Sequence, residues 1–145
     1  MIPITTCTTN LVVQVSQSVH IISRKEIILA EDNEIIRTLF SRLLENMGYT
    51  VFTFKDGLEL VDYMQNSKYT KETIPIIITD YIMPKVNGVE AAKRVRNIFS
   101  GAKIIMMTSE TSIQEEDYEK YVNVLLTKPV GKKQLEDVIQ TLTYK

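Results

Sequence analysis

One apolar run limits the possible folds of this chain more than any other feature of its sequence. Residues 74–79 consist of Ile, Thr and a single Pro, and a carboxylate, Asp80, follows them directly. A run without polar alternation is typical of a strand buried on both faces, as in a parallel sheet covered by helices. Asp80 would then lie at the carboxyl edge of the sheet, where open α/β sheets bind their ligands. Pro84 and Gly88 predict a sharp turn that presents this carboxylate at the mouth of a loop.

From residue 25 onward, predicted strands and helices alternate. Asn33 is a suitable N-cap for the first helix, and Gly48 ends that helix as a C′ glycine would. Five strand–helix units predict an α/β fold, a doubly wound five-stranded parallel sheet with helices on both faces. The predicted strands are 26–30, 50–54, 74–80, 103–107 and 122–126. The later helices are predicted at about 56–66, 87–99 and 112–121, with a last one that contains Leu135, Val138, Ile139 and Leu142. The apolar face of the first helix is predicted to comprise Ile36, Leu39, Phe40, Leu43, Leu44 and Met47.

Residues 1–24 differ from the rest because they carry no charge before Arg24. Apolar and polar residues alternate between Val13 and Ile21, which is a weak strand signal. We therefore divide the chain into residues 1–24, an N-terminal extension that is a linker, an extra strand or disordered, and a domain of residues 25–145. His20, the only histidine, has no candidate partners near it in sequence, so we interpret it as a surface residue.

Composition excludes several classes of function. A length of 145 residues with 44% hydrophobic residues fits one domain with one core. A net charge of −1 with scattered basic residues argues against nucleic-acid binding. No apolar run reaches the roughly 18 residues of a membrane span, and we see no secretory signal. The one cysteine, Cys7, excludes an internal disulfide framework, and we expect a reducing, cytoplasmic location.

Reactive side chains follow four of the predicted strands. Because the carboxyl ends of parallel strands share one edge, these residues should converge. Carboxylates packed together need a cation among them, and hard oxygen ligands suit Mg²⁺. A carboxylate, Mg²⁺, a lysine and a hydroxyl are the parts that phosphoryl transfer requires. The residues are Glu31 and Asp32 after the first strand, Asp80 after the third, Thr108 and Ser109 after the fourth, and Lys128 after the fifth.

In these motifs the chain resembles the receiver domain of two-component response regulators. The resemblance covers about residues 24–144, and it is specific because all the motifs occur in order on the right strand ends. The run from Glu31 to Glu34 further resembles receivers of hybrid sensor histidine kinases. The matching motifs are Glu31-Asp32, Asp80 with Met83-Pro84 and Gly88, Thr108-Ser109, and Lys128-Pro129.

The resemblance implies a role for each residue of the site. Asp80 would be the phosphoacceptor, taking a phosphoryl group from a phosphohistidine on a histidine kinase or a histidine phosphotransfer protein. Lys128, aimed by a cis peptide before Pro129, would pair with Asp80 before transfer and with the phosphoryl oxygens after it. Thr108 would move to hydrogen-bond the phosphoryl group and would pull the loop with Ser109. The implied Mg²⁺ ligands are Glu31, Asp32, Asp80 and the backbone carbonyl of Ile82.

One position departs from the family. Three residues before the lysine, where the family usually has Tyr or Phe, this chain has Leu125. We interpret Leu125 as core filling and expect switching to run through the Thr108 loop and the helix after it. Tyr118 and Tyr121 are weaker candidates for replacing the missing ring. We further expect apolar Ile82 to restrict water at the phosphoryl site and to lengthen the lifetime of the aspartyl phosphate.

Three other functions fit the sequence less well. A haloacid-dehalogenase-type phosphatase needs a second Asp where this chain has Ile82. A flavodoxin-like binder of FMN needs a glycine- and hydroxyl-rich loop where this chain has Glu31 and Asp32. A receiver-like interaction module without phosphorylation has no feature in its favour, since every residue of the reaction is present. The leading interpretation is a signalling switch that catalyses its own phosphorylation and slow dephosphorylation, rather than a metabolic enzyme.

Partners follow from the resemblance alone. A downstream protein is expected to dock on the fourth strand, fourth helix and fifth strand. The chain ends soon after its last helix, so we expect no attached output domain. It is then either a stand-alone receiver or the terminal receiver of a hybrid histidine kinase, with residues 1–24 as the remnant of a linker.

Overall fold

Five parallel strands form the centre of the computed structural model, which describes residues 25–144. Their order across the sheet is β2-β1-β3-β4-β5, and every neighbouring pair is parallel. The doubly wound α/β fold expected from the sequence is therefore confirmed. The weak strand signal between Val13 and Ile21 lies outside the described residues. The strands are β1 (Glu26–Ala30), β2 (Thr50–Phe54), β3 (Ile76–Asp80), β4 (Ile104–Thr108) and β5 (Val124–Thr127).

Helices cover both faces of this sheet and enclose two apolar layers. The side chains of β1, β3, β4 and β5 alternate between the layers, as pleated strands require. Among residues 25–144, no helix has the length and apolar character that crossing a membrane requires. One layer packs α1 and α5 on the sheet, and the other packs α2 and α3 there. The helices are α1 (Glu34–Asn46), α2 (Gly57–Gln65), α3 (Gly88–Ile98), α4 (Glu115–Tyr118) and α5 (Lys132–Thr143).

The first three helices begin at side chains that accept hydrogen bonds from their first turns. Asn33 accepts from the amide of Ile36 at 3.0 Å, and Asp56 accepts from that of Glu59 at 2.8 Å. Asn87 does the same for α3. Asn33 and Asp56 follow their strands within three residues and Asn87 follows β3 after seven, so each connection at the carboxyl edge ends at a side chain that caps the next helix.

The fourth helix is much shorter than expected, and the predicted range of 112–121 is wrong. The Asp117 carboxylate accepts a 3.2 Å hydrogen bond from the Gln114 amide, which fixes the helix start after Gln114. The preceding Ser112 is held in a turn because its amide and hydroxyl both donate to Glu110. Beyond the other end, the amides of Tyr121 and Val122 both donate to the carbonyl of Tyr118, and β5 begins at Val124.

One residue assigned to the buried face of α1 is exposed. Leu39 is 65% exposed, and its neighbour Ile35 is 79% exposed. The buried stripe of α1 runs through Phe40 and Leu44. Leu39 lies beyond the edge of this stripe, at roughly 100° from Phe40 around the helix. An apolar surface therefore remains on α1, close to the end of the helix that starts at the acidic turn.

Candidate functional site

The carboxyl ends of β1 and β3 bring three carboxylates together. The two strands are neighbours, with Ala30 paired to Thr79, so Glu31 and Asp80 leave the sheet side by side. One ligand oxygen from each of Glu31, Asp32 and Asp80 lies within 4.8 Å of the others. Glu31 and Asp80 are buried, whereas Asp32 is exposed. The convergence expected from the sequence is thus present, with one carboxylate open to solvent.

Lys128 lies among these carboxylates. Its Nζ is 3.1 Å from Glu31 Oε1 and 3.2 Å from Asp80 Oδ1. The lysine follows directly after β5, its amide donates a 2.8 Å hydrogen bond to the carbonyl of Thr108, and the Lys128–Pro129 peptide is cis. One cation on the last strand therefore bridges the acidic groups that follow the first and third strands.

Asp80 is held through one of its two oxygens. Oδ1 forms an ion pair with Lys128 at 3.2 Å and accepts a 2.9 Å hydrogen bond from the amide of Tyr81. Within residues 25–144, Oδ2 accepts no hydrogen bond, although the residue is only 8% exposed. The carboxylate is therefore fixed in orientation with one oxygen left for a ligand or a reaction partner.

Gly88 closes the loop that follows Asp80. Its amide donates a 2.7 Å hydrogen bond to the carbonyl of Tyr81. A Cβ at position 88 would lie 2.3 Å from the carbonyl oxygen of Asp80. Only glycine allows α3 to start so close to the end of β3, and this explains the glycine seen in the sequence motif.

The charges of the acidic site are only partly balanced by Lys128. Burial raises the pKa of Asp80 above its ordinary value, and the nearby Lys128 only partly opposes this. Burial likewise raises the pKa of Glu31, with a further contribution from the charge of Asp80. Burial acts to lower the pKa of Lys128, but Glu31 and Asp80 together outweigh it and raise that pKa. A single ammonium group therefore does not fully compensate the carboxylates around it.

Thr108 and Ser109 leave β4 at the same edge of the sheet. Thr108 is buried, and its Oγ1 accepts a 2.9 Å hydrogen bond from the amide of Glu110. Ser109 is exposed. Leu125 is half-buried in the layer beneath α2 and α3, where Tyr118 also packs. The remaining candidate, Ile82, has a side chain that is 59% exposed beside the site.

Two contacts around the site were missed in the sequence. Arg37 Nη1 donates a 2.8 Å hydrogen bond to the carbonyl of Glu31. Lys85, with φ of 69°, places its Nζ 3.7 Å from the buried carboxylate of Asp56 and so connects the loop after β3 to the start of α2. An arginine one turn into a helix and a lysine in a turn give no sequence signal of this kind, because both side chains usually point into solvent.

Comparison with known proteins identifies the family. The family model of the response regulator receiver domain matches residues 27–140. The chain belongs to this family. As a receiver domain, it is a component of two-component signalling, and the resemblance seen in its motifs is confirmed.

Individual similar proteins include a histidine kinase and receiver domains of known structure. The receiver is 31% identical over 137 residues, 89% of its length, to the peroxide stress-activated histidine kinase mak2 of Schizosaccharomyces pombe. It superposes with a TM-score of 0.72 and 25% identity on the receiver domain of the sensor histidine kinase PA1611 from Pseudomonas aeruginosa PAO1, covering 84% of this chain and 99% of that one. That structure holds a magnesium ion in its active-site cleft. The receiver domain of Ssk1 from Saccharomyces cerevisiae, solved with the histidine phosphotransfer protein Ypd1, has the same fold (TM-score 0.71, 23% identity, 83% and 90% of the two chains).

The receiver spans only a small part of these curated relatives. It covers between 6% (mak2) and 21% of the length of the first four. Family membership therefore applies to this domain and does not define the output of a whole protein that contains it.

Proposed function

We propose that the chain is a phosphoacceptor receiver of a phosphorelay, in which Asp80 accepts a phosphoryl group from a phosphohistidine in a Mg²⁺-dependent reaction. The observation that carries this proposal is the geometry at Asp80. Lys128 and the amide of Tyr81 hold Oδ1 of the carboxylate, and Oδ2 has no hydrogen-bond donor among the described residues. A nucleophile in a phosphoryl transfer needs this combination of a fixed orientation and one free oxygen.

The donor set fits a magnesium ion. Its members are the hard carboxylate oxygens of Glu31, Asp32 and Asp80, within 4.8 Å of one another, and Mg²⁺ is commonly held by one or two carboxylates with waters and a substrate phosphate. The raised pKa values of Glu31 and Asp80 indicate negative charge that Lys128 does not fully compensate. We propose that these carboxylates, with the backbone carbonyl of Ile82, hold the ion. When bound, Mg²⁺ would neutralise charge on the phosphoryl oxygens during transfer.

In the proposed reaction, an oxygen of Asp80 forms a bond to phosphorus as the phosphorus–nitrogen bond of the phosphohistidine breaks. The electron pair of that bond stays on the imidazole nitrogen. If the other ring nitrogen carries a proton, neutral imidazole leaves; otherwise the departing imidazolate takes a proton from water. Lys128 can remain bonded to Glu31 while it shifts from Asp80 to the phosphoryl oxygens, because its ammonium already bridges both residues. The Thr108 Oγ1 accepts from the amide of Glu110 and still has its hydroxyl hydrogen to donate, which it would give to a phosphoryl oxygen.

Two surfaces are proposed for partners. The phosphohistidine donor, a histidine kinase or a histidine phosphotransfer protein, would cover the exposed Ile35 and Leu39 of α1, since α1 starts directly after the acidic turn. Ile35 and Leu39 are both exposed and lie one helical turn apart, and contiguous exposed apolar surface is typical of contact surfaces. A receiver of this fold solved with a histidine phosphotransfer protein supports the class of partner. A downstream protein would dock on β4, α4 and β5, where displacement of Thr108 would be felt first. No nucleic-acid or membrane partner is proposed.

The bounds of the domain, its location and the kind of protein that contains it are also proposals. Residues 25–145 would form the functional receiver, and residues 1–24 would connect it to its surroundings. Its catalytic work would be limited to its own phosphorylation and slow dephosphorylation at a cytoplasmic location. The relationship to a histidine kinase, mak2, supports an origin within a hybrid kinase, and a stand-alone receiver is the alternative.

Beryllofluoride, which mimics an aspartyl phosphate, gives a direct test. Two-dimensional ¹H–¹⁵N spectra of the full chain would be recorded with Mg²⁺, before and after beryllofluoride is added. We expect shifts centred on the residues around Asp80, Thr108 and Lys128, and no such shifts for Asp80→Asn. Identical shifts in the variant, or none in the wild type, would refute the proposal.

A further inference from the structure

Arg37 contacts the acidic turn between β1 and α1. Its Nη1 donates a 2.8 Å hydrogen bond to the carbonyl oxygen of Glu31 and lies 3.4 Å from the carbonyl oxygen of Asp32. One guanidinium nitrogen thus faces two consecutive peptide groups of the turn. We propose that Arg37 is a positioning residue for Asp32, which the proposed function makes a magnesium ligand. The inference rests on that function and adds to it the residue that orients Asp32.

The three carboxylates differ in how many hydrogen bonds and ion pairs fix their oxygens. Both oxygens of Glu31 are occupied, Oε1 by Lys128 and Oε2 by the amide of Asn33 at 3.0 Å. Asp80 is fixed through Oδ1. The carboxylate of Asp32 is exposed and accepts no hydrogen bond from any other residue between 25 and 144. Its position therefore depends on the orientation of its own peptide groups.

Those peptide groups lie just outside the backbone hydrogen bonds of α1. The ladder of the helix begins with the amide of Arg37, which donates to the carbonyl of Asn33 at 2.8 Å. The carbonyls of Glu31 and Asp32 precede this first bond, so α1 has no backbone amide for them. The guanidinium of Arg37 supplies the missing donor, and a donor that carries charge makes a stronger hydrogen bond than a neutral one. Because the arginine is half-buried on a helix, its own freedom is small.

The sign of the effect separates positioning from simple electrostatics. Arg37 is a positive charge near an acidic site, so Coulomb repulsion alone would make its removal tighten Mg²⁺ binding. If the arginine instead orients Asp32, its removal weakens Mg²⁺ binding. Residues that orient metal ligands typically change metal affinity about 10-fold to 100-fold when they are mutated. The two explanations therefore predict changes in opposite directions.

The test compares two arginines of the same helix. Arg42 is exposed on α1, and no described contact connects it to the acidic turn. The Kd for Mg²⁺ would be measured by isothermal titration calorimetry at constant ionic strength for the wild type, Arg37→Met, Arg37→Lys and Arg42→Met. Thermal unfolding in EDTA would report structural damage separately from metal binding.

We expect Arg37→Met to bind Mg²⁺ about 10-fold more weakly, with Arg42→Met equal to the wild type or slightly tighter. Arg37→Lys, which retains a charged donor but not the guanidinium geometry, should fall between them. Equal affinity for Arg37→Met and Arg42→Met, or a lower melting temperature without a change in Kd, would overturn the inference while leaving the proposed function intact. If Arg37→Met does not fold, Arg37→Lys decides in the same way, since an unchanged Kd overturns the inference and a weaker one supports it. A wild type that binds no Mg²⁺ would overturn both.

Discussion

Lys128 Nζ and Asp80 Oδ1 lie 3.2 Å apart, at the ends of strands separated in the sheet by β4. The lysine reaches over β4 to a carboxylate whose other oxygen is left open. The pair is neither fully exposed nor fully compensated, because burial still raises the pKa of Asp80. This pair should therefore govern how stability depends on pH and on the charge of the lysine.

Without metal, the charge on Asp80 should destabilise the fold. A carboxyl group whose pKa is raised in the folded state binds its proton more tightly there than in the unfolded chain. The free energy of unfolding then falls as the pH rises from the ordinary carboxyl pKa through the raised one. Asp80→Asn should remove part of this decrease and stabilise the metal-free protein at pH 7.5 by on the order of 1 kcal/mol. Urea unfolding in EDTA at pH 5 and pH 7.5 measures this, and equal stability of both proteins at pH 7.5 would contradict it.

Removing the lysine should have the opposite effect. Lys128→Met leaves two buried carboxylates, Glu31 and Asp80, without their shared cation, and we expect a loss of about 2 kcal/mol in the free energy of unfolding. Lys133→Met is the matched control, because Lys133 pairs with Asp137 at 3.1 Å on the exposed surface of α5 and such pairs contribute little. Urea unfolding of both variants in EDTA should show the difference. Similar losses in the two variants would show that Lys128 adds no more than a surface pair.

Gly88→Ala should damage both the fold and the site. The added Cβ would meet the carbonyl oxygen of Asp80 at 2.3 Å, so the end of β3 or the start of α3 must move. We expect a loss of about 1–3 kcal/mol in the free energy of unfolding and weaker Mg²⁺ binding, measured by urea unfolding and calorimetry. Gly101→Ala is the control, since a Cβ there has no atom within 4 Å. Unchanged Mg²⁺ binding in Gly88→Ala would show that the metal site tolerates movement of this backbone.

The apolar surface of α1 should matter for a protein donor and not for a small one. Leu39→Ser should slow phosphorylation by a histidine phosphotransfer protein that phosphorylates the wild type, by about 10-fold if Leu39 lies near the centre of the contact. Phosphorylation by acetyl phosphate should be unchanged. Ile98→Ser, on an exposed apolar residue at the end of α3, is the control. A slower reaction of Leu39→Ser with acetyl phosphate as well would mean that the substitution disturbs the site itself.

Much of this molecule could be predicted from the sequence, because its signals are local. Unbroken apolar runs predicted the buried strands, and parallel strands force their carboxyl ends onto one edge. Glu31, Asp80 and Lys128 could therefore be brought together without coordinates. Asn33 likewise marked a helix start, because its side chain bonds the backbone three residues later.

The remaining features depend on contacts distant in sequence or on small angular differences. Leu39 fits a helical apolar pattern, yet the packing of Phe40 and Leu44 leaves it outside the buried stripe. The length of α4 was overestimated because the amides of Ser112 and Gln114 bond the side chains of Glu110 and Asp117, and residues 112–114 therefore lie before the helix. The loop at 67–73 carries Tyr69, whose hydroxyl bonds both Tyr63 and the β1 residue Glu26. Contacts of this kind are visible only once the chain is folded.

The central claim is that Asp80 is phosphorylated in a Mg²⁺-dependent reaction, and intact-protein mass spectrometry after incubation with acetyl phosphate tests it most directly. The wild type should gain the mass of one phosphoryl group with Mg²⁺ and none with EDTA, and Asp80→Asn should gain none in either condition. A wild type that stays unmodified with Mg²⁺, or an Asp80→Asn variant that is modified to the same extent, would contradict the account.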